Sequence, residues 1–199
     1  CQVTGIDISE VLISKARDRS KKMGLANVRF QVADATRLPF DDDVFDAVFG
    51  VALVALIPGK EEVLQEFMRV TKPGSSIGTL DLFAKRGADN EVVESFSTTM
   101  KTLLEYDVAI MDIRKWRSIF ERTGLDSIDV EETYNDVLLN TRERSGTIKA
   151  TMKMVYHMLI NGAVRKRMMK LMQLRKTAIM QDDEGFENLG YLVFTGRKM

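Results

Sequence analysis

Two aspartates follow short apolar segments near the start of the chain, and carboxylates at these positions could bind a ligand. Asp7 closes an apolar segment at residues 3–6, and Asp34 closes an alternating segment at residues 28–32. The first carboxylate could accept both hydroxyls of a ribose diol, and the second could accept an exocyclic amine such as adenine N6. The backbone N–H of Ala35 could serve a ring nitrogen of the same base. The pair therefore indicates an adenosine-containing ligand.

Each aspartate also has an ordinary structural interpretation. Asp7 could simply cap the turn that follows it, and Asp34 could be a solvated loop residue. Taken singly, neither position decides between ligand binding and a local role. Two acids at successive strand ends indicate a ligand more strongly than either does alone, because ligands of α/β sheets bind beyond the carboxyl ends of the strands.

The elements that must position these residues alternate between strands and helices. Residues 3–8 and 28–32 are predicted strands. Ser9 is a suitable N-cap for the helix between them, and Gly24 should end that helix. The apolar run at 45–54 is predicted to be a third, buried strand. The apolar face of the first helix is predicted to be formed by Val11, Leu12, Ala16 and Met23.

A second helix and a fourth strand continue this alternation. "KEEVLQEFMRVT" has the spacing of an amphipathic helix, Pro73-Gly74 predicts a turn, and "SIGTLDLF" predicts a strand. Parallel strands need crossover connections, which are usually helices. The predicted fold class is therefore α/β, with an open, mostly parallel sheet covered by helices on both faces.

The second half of the chain is less regular. Helices are predicted at about 90–106 and over "DIRKWRSIFERTG", and strands over "LDSIDVEETY" and "GYLVFTGRK". A long helical stretch is expected at about 145–181. The length of 199 residues favours a single domain, residues 1–199. We expect residues of about 135–185 to form a helical cap inserted before the last strand.

Composition narrows the function only slightly. The 45% hydrophobic and 29% charged residues are ordinary for a soluble globular protein. Lys and Arg number 29 and so do Asp and Glu, so net charge favours no particular partner. A single cysteine, Cys1, excludes an internal disulfide framework and fits a reducing compartment. With no apolar run long enough to span a membrane, we expect a cytoplasmic protein.

Three consecutive segments resemble motifs of class I S-adenosylmethionine-dependent methyltransferases. They are "VTGIDIS", "VRFQVADATRLPFDDDVFDAVFG" and "EFMRVTKPGSSIGTLDLF", and the resemblance covers about residues 1–83. The chain is most similar to small-molecule enzymes of methyltransferase type 11, the group that resembles ubiquinone/menaquinone methyltransferases. The resemblance implies a Rossmann-like fold with an antiparallel last strand. It also implies S-adenosyl-L-methionine as cofactor, a small-molecule acceptor and no metal ion.

The resemblance assigns six residues to the cofactor, two at each of three successive strand ends. The first pair would hold the ribose and the adenine face, the second would read the adenine edge, and the third would approach the methionine part. These pairs are, in that order, Asp7 and Ile8, Asp34 and Ala35, and Gly50 and Val51. No catalytic residue is assigned, because the sulfonium already activates the methyl group and catalysis is largely alignment with water excluded.

The sequence departs from the family pattern in two places. The family has a glycine-rich loop after its first strand, upstream of the position of Asp7, and this chain begins too late to contain it. We therefore expect an N-terminal truncation, with the sheet interrupted between the second and fourth strands of the family fold. Many relatives also carry a His pair after the fourth strand, where this chain has the apolar "ALVALIP".

Several other side chains could serve an acceptor, but core or cap positions explain them better. Aromatic residues at helical spacing are more often core, and the single histidine lies among apolar neighbours. The basic, Met-rich residues 149–181 favour a cap with its basic face in water over a membrane-surface contact. Few aromatics accompany these charges, so no nucleic-acid partner is expected. The side chains considered for the acceptor are Tyr106, Trp116, Tyr134, Tyr156 and His157.

Three functions stay open at the level of sequence. The leading one is S-adenosylmethionine-dependent methyl transfer to a small molecule, for which a hydrophobic acceptor is compatible. A nicotinamide-dependent oxidoreductase would also place an acid at a strand end of a parallel sheet. A non-catalytic, methyltransferase-like binding module would be compatible with the apolar "ALVALIP" and with the absence of the glycine-rich loop.

Overall fold

The computed structural model of the chain describes residues 1–104, 108–133 and 188–199. The predicted cap at about 135–185 lies outside these ranges, as do Tyr106, Tyr134, Tyr156 and His157. No helix in the described ranges is both long enough and apolar enough to cross a bilayer. The elements are, in chain order, β1 (Val3–Asp7), α1 (Glu10–Lys22), β2 (Val28–Val32), β3 (Phe45–Val51), a 3₁₀ helix (Val54–Leu56), α2 (Lys60–Val70), β4 (Thr71–Ala84), α3 (Asn90–Leu104), β5 (Met111–Asp112), α4 (Ile113–Arg122), β6 (Asp126–Thr133) and β7 (Leu189–Arg197).

The first strand–helix–strand unit forms as the sequence predicts. β1 and β2 are parallel neighbours. α1 begins after Ser9, whose Oγ accepts the backbone N–H of Leu12 at 3.3 Å. Past its end, Gly24 adopts a φ of +68°, which favours glycine. The Arg17 guanidinium donates to the Phe30 carbonyl at 2.7 Å and ties the helix to β2.

The predicted apolar face of α1 is wrong in part. Val11, Leu12 and Met23 are exposed, and Ile13 is the buried side chain of this helix instead. The physical reason is the width of the surface beneath it. α1 packs on β1 and β2, which form a sheet of two strands in the described part of the chain. Such a narrow sheet covers only a thin stripe of the helix.

The remaining strands form a second, larger sheet. Its order is β3-β4-β7-β6, and β5 also pairs with β4. β4 is parallel to β3 and β5 and antiparallel to β7, so the last strand is antiparallel as predicted. Within the described residues, β1 and β3 do not pair with each other. The sheet is therefore interrupted at the place where an interruption was expected.

β3 differs from the buried strand predicted over residues 45–54. It ends at Val51, and Ala52 turns the chain away with a φ of +47°. Phe49 and Val51 are exposed to 53% and 64%. The run was expected to be covered on both sides. The face of β3 that carries Gly50 packs against Phe67 of α2, whereas Phe49 and Val51 lie on the opposite face, which is open to solvent in the described part of the chain.

The predicted Pro73-Gly74 turn lies inside β4. Phe45 is opposite Thr71 and Ala47 is opposite Ser76, so the residues between form an excursion from the strand. Gly74 has a φ of +76°, and its N–H donates to the Lys198 carbonyl at 2.7 Å. The predicted turn is confirmed, but the strand continues on both sides of it.

The main core lies where α2 and α4 cover the larger sheet. Phe120 and Phe194 stack with their ring centroids 4.3 Å apart. Trp116 is fully buried beside them, and its Nε1 donates to the Leu82 carbonyl at 3.3 Å. Trp116 is therefore a core residue, as favoured from the sequence, and does not line an open acceptor pocket.

The aromatic core generates a stability prediction. Phe194→Ala removes a fully buried ring from the stack and should lower the free energy of unfolding by about 3–5 kcal/mol. Phe49→Ala removes the same atoms from a half-exposed position and should cost about 1 kcal/mol or less. Urea unfolding followed by circular dichroism measures both. Equal losses in the two variants would contradict the assigned core.

Candidate active site

Asp7 combines a local structural contact with an available carboxylate oxygen. Its Oδ1 accepts the backbone N–H of Ser9 at 2.8 Å, which fixes the turn between β1 and α1. Its backbone carbonyl accepts the N–H of Ala33 at 3.1 Å, next to the end of β2. Its Oδ2 accepts no hydrogen bond from any described residue. The turn-capping role is therefore observed, and one oxygen is left for a ligand.

Asp34 has the same arrangement at the next strand end. Its Oδ1 accepts the backbone N–H and the hydroxyl of Thr36, at 2.9 and 2.8 Å. These two hydrogen bonds, the backbone one foremost, hold the pKa of Asp34 below its usual range. The side chain is therefore charged at neutral pH. Its Oδ2 is without a hydrogen-bond partner in the described part of the chain.

Ala35 and Ile8 flank the two carboxylates in different ways. Ala35 is buried in the core with 5% of its surface exposed. Its backbone N–H donates to no acceptor among the described residues. Ile8 is 62% exposed. The site thus offers an unpaired N–H and an uncovered apolar surface beside Asp7 and Asp34.

The parallel register of β1 and β2 brings these residues to one edge of the sheet. Asp7 is opposite Val32, so Asp34 lies two residues beyond the last paired position. Both carboxylates therefore follow neighbouring strand ends, as predicted. Four of the six expected residues share this edge. Their contacts with a cofactor stay a prediction.

Gly50 and Val51 lie in the other sheet. They are opposite Thr79 and Leu80 of β4. A Cβ on Gly50 would lie 3.1 Å from the ring of Phe67, so close packing by α2 already accounts for this glycine. Val51 is 64% exposed at the strand end. Their approach to the methionine part of a cofactor also stays a prediction.

Sequence reasoning missed a buried charged pair behind this strand end. Asp81 of β4 is fully buried, and its Oδ1 accepts the backbone N–H of Ala55 at 3.0 Å. Lys60, at the start of α2, donates from Nζ to the carbonyls of Ala55 and Ile57, at 3.2 and 2.8 Å. The available signal was an acid within the apolar strand "SIGTLDLF", because such an acid must be buried.

Burial changes the acidity of Asp81. It raises the pKa of Asp81 to about 6, and the backbone N–H groups of Ala55 and Leu53, the nearby Thr79 hydroxyl and the charge of Lys60 oppose the shift. Oδ2 of Asp81 and Oγ1 of Thr79 are both buried without a hydrogen-bond partner in the described residues. The two side chains share one face of β4, since they are two residues apart in a strand. Asp81 is therefore a group that titrates within the fold.

A separate depression lies along α4. It has a volume of about 490 Å³, is open to solvent, and is lined by Met111, Asp112 and residues of the helix. None of the six predicted cofactor residues lines it. The chemistry indicated by the strand ends therefore does not belong to this depression.

The fold and the strand-end acids define a class I, Rossmann-like α/β domain of the kind that binds adenosyl cofactors. A family model described as a methyltransferase domain matches residues 1–124. The chain belongs to this methyltransferase family, so the resemblance noted from the motifs is confirmed.

Similar proteins agree with this assignment. "Methyltransferase GfsG" of Streptomyces halstedii is 30% identical over 134 residues, which are 65% of this chain and 46% of that protein. A phosphatidylethanolamine N-methyltransferase of Cereibacter sphaeroides is 37% identical over 84 residues, 42% of this chain and 41% of that protein. The chain thus spans less than half the length of these two curated relatives.

Similarity to a solved structure extends over nearly the whole chain. Phosphoethanolamine N-methyltransferase 2 of Haemonchus contortus, solved with S-adenosyl-L-methionine, superposes with a TM-score of 0.70 at 22% identity. The superposition covers 99% of this chain and 43% of that one. At this identity the likeness shows the fold, and it confirms the predicted α/β class.

The titration of Asp81 gives a stability prediction with a definite sign. The pKa of Asp81 in the folded state, about 6, exceeds the ordinary 3.8, so protonated Asp81 stabilises the fold. This stabilisation is fully present below about pH 4 and is lost as the pH rises through 6. The loss should reach about 3 kcal/mol. Asp81→Asn cannot ionise and should not show it. Urea unfolding of both proteins across this range measures the difference.

Subtracting the stability of Asp81→Asn from that of the wild type at each pH cancels the effects of the other titrating groups. Asp34, Asp46 and Glu66 have lowered pKa values and give stability of the opposite pH dependence. They act equally in both proteins and cancel in the difference. Parallel stability curves for wild type and Asp81→Asn would show that Asp81 does not titrate in this range.

Proposed function

We propose that the natural protein containing this chain transfers a methyl group from S-adenosyl-L-methionine to a small-molecule acceptor. One observation carries the proposal. Asp7 and Asp34 follow neighbouring strand ends of a methyltransferase domain, and each keeps a carboxylate oxygen that no described residue occupies. Family membership favours methyl transfer over nicotinamide-dependent oxidation.

The residues at this edge suit an adenosyl group. Oδ2 of Asp7 can accept from ribose hydroxyls, and Oδ2 of Asp34 can accept from the adenine amine. The unpaired N–H of Ala35 can donate to a ring nitrogen. The uncovered side chain of Ile8 offers apolar surface to the base. The ribose hydroxyls, the adenine amine and one ring nitrogen therefore each have a counterpart here.

The chain's own part in the reaction would be binding and alignment. S-adenosyl-L-methionine would supply a methyl group already activated on its sulfonium. The protein would then hold donor and acceptor in line and exclude water from the reacting atoms. A general base would be needed only for an acceptor that must lose a proton. No side chain is therefore assigned as a catalytic base.

An apolar or amphipathic acceptor fits the strand end beyond Val51. The turn at residues 52–57 is Ala-Leu-Val-Ala-Leu-Ile and presents no polar side chain. The relative from Cereibacter sphaeroides is named for methylating phosphatidylethanolamine, which is an amphipathic lipid. We propose an acceptor with a sizeable apolar part for the present protein as well.

Isothermal titration of the natural protein with S-adenosyl-L-methionine tests the ribose assignment. Asp7→Asn keeps Oδ1 for the Ser9 turn but replaces the free Oδ2 with a donor. The dissociation constant should rise about tenfold or more, a loss of about 1.4 kcal/mol. Asp18→Asn, an exposed acid on α1, is the matched control and should bind as wild type does.

The same titration separates the remaining alternatives. Unchanged affinity in Asp7→Asn would remove Asp7 from the ribose site. Formation of S-adenosylhomocysteine in the presence of a phospholipid or sterol acceptor would support the enzyme. Binding of the cofactor without turnover on any such acceptor would instead favour the non-catalytic binding module.

A further inference from the structure

Two buried charges hold one residue of the turn between β3 and α2 from opposite sides. The N–H of Ala55 donates to Asp81 Oδ1 at 3.0 Å, and the carbonyl of Ala55 accepts from Lys60 Nζ at 3.2 Å. Lys60 also donates to the Ile57 carbonyl at 2.8 Å. The exposed fractions of Asp81 and Lys60 are 0% and 8%. An anion and a cation therefore clamp the backbone of this turn.

Stability alone does not explain this arrangement. Taking a charged group out of water costs several kcal/mol per ion, and well-packed apolar residues often do as well or better. Asp81 Oδ2 and Thr79 Oγ1 are in addition buried without a partner among the described residues. We infer that this costly pair serves to fix the position of the backbone that it holds.

The clamped turn begins directly at the strand end that carries Gly50 and Val51. Ala52 has a φ of +47°, a conformation that is unfavourable for a residue other than glycine. Its N–H donates to the Leu80 carbonyl at 2.7 Å, one residue before Asp81. The turn therefore starts with a strained residue and is then held by the buried charges. Without that clamp the strain at Ala52 could relax.

We propose that Asp81, assisted by Lys60, is a positioning residue that fixes the turn at residues 52–57 in the shape required to bind the methionine part of the cofactor. This inference rests on the proposed function. Both side chains are buried, so the role assigned to them is indirect. Their effect passes through the backbone of Ala55 to the end of β3.

Two substitutions of similar size test the positioning role, provided that binding is compared between fully folded proteins. Asp81→Asn keeps an oxygen that accepts the N–H of Ala55, and its amide can donate to Thr79 Oγ1. Asp81→Leu removes the acceptor but fills the same space with apolar atoms. The first should bind S-adenosylhomocysteine within about threefold of wild type, and the second about tenfold or more weakly. Asp81→Leu should also unfold at a lower temperature than Asp81→Asn, because it leaves the buried N–H of Ala55 without its acceptor, so both affinities are measured well below the two unfolding temperatures.

The experiment is isothermal titration of the natural protein and its variants with S-adenosylhomocysteine, with unfolding temperatures measured in parallel. Asp46→Asn is the control, because Asp46 is an exposed acid of β3 that pairs with Lys72 at 2.7 Å, away from the turn. It should bind as wild type does. Wild-type affinity in Asp81→Leu, or equal losses in Asp81→Leu and Asp81→Asn, would overturn the inference.

A further variant covers the case in which Asp81→Leu does not fold. Lys60→Met keeps the apolar length of the side chain and removes its donation to Ala55 and Ile57. It should weaken binding about tenfold, and unchanged affinity would overturn the inference. Wild-type protein that binds no S-adenosylhomocysteine would overturn the proposed function itself, and the inference with it, before any variant is compared.

Discussion

The parallel pairing of β1 with β2 is the constraint on which the candidate site depends. Its register sets Asp7 opposite Val32, and the N–H of Ala33 donates to the Asp7 carbonyl at 3.1 Å. Asp34 must then follow at the same edge. The turn after each strand uses one carboxylate oxygen for a backbone N–H. The same contacts that build the turns therefore leave Oδ2 of each aspartate for the proposed ligand.

β4 provides the second constraint, because it connects the end of β3, where Gly50 and Val51 lie, to the core. It pairs with β3, β5 and β7 and carries the buried Asp81. The hydrogen bond from Ala55 to Asp81 links this central strand to the apolar turn beyond β3. The residues proposed for the adenosyl part and those proposed for the methionine part thus lie in different sheets.

The features that the sequence predicted correctly are those that depend on residues close together in the chain. The cap at Ser9, the positive φ at Gly24 and the alternation of strands and helices depend on neighbouring residues, and the structure contains all of them. The exposure of Phe49 and the burial of Asp81 were not predicted. Both depend on which strands pair and what covers them, and those contacts join residues far apart in the chain.

A crystal structure of the natural protein with S-adenosylhomocysteine tests the central claim most directly. The account predicts Asp7 Oδ2 at about 2.5–3.0 Å from a ribose hydroxyl, and the Ala35 N–H donating to a ring nitrogen of adenine. The Ser9 and Thr36 contacts of the two aspartates should be unchanged. A ligand bound elsewhere, or carboxylates that contact only their own turns in its presence, would contradict the account.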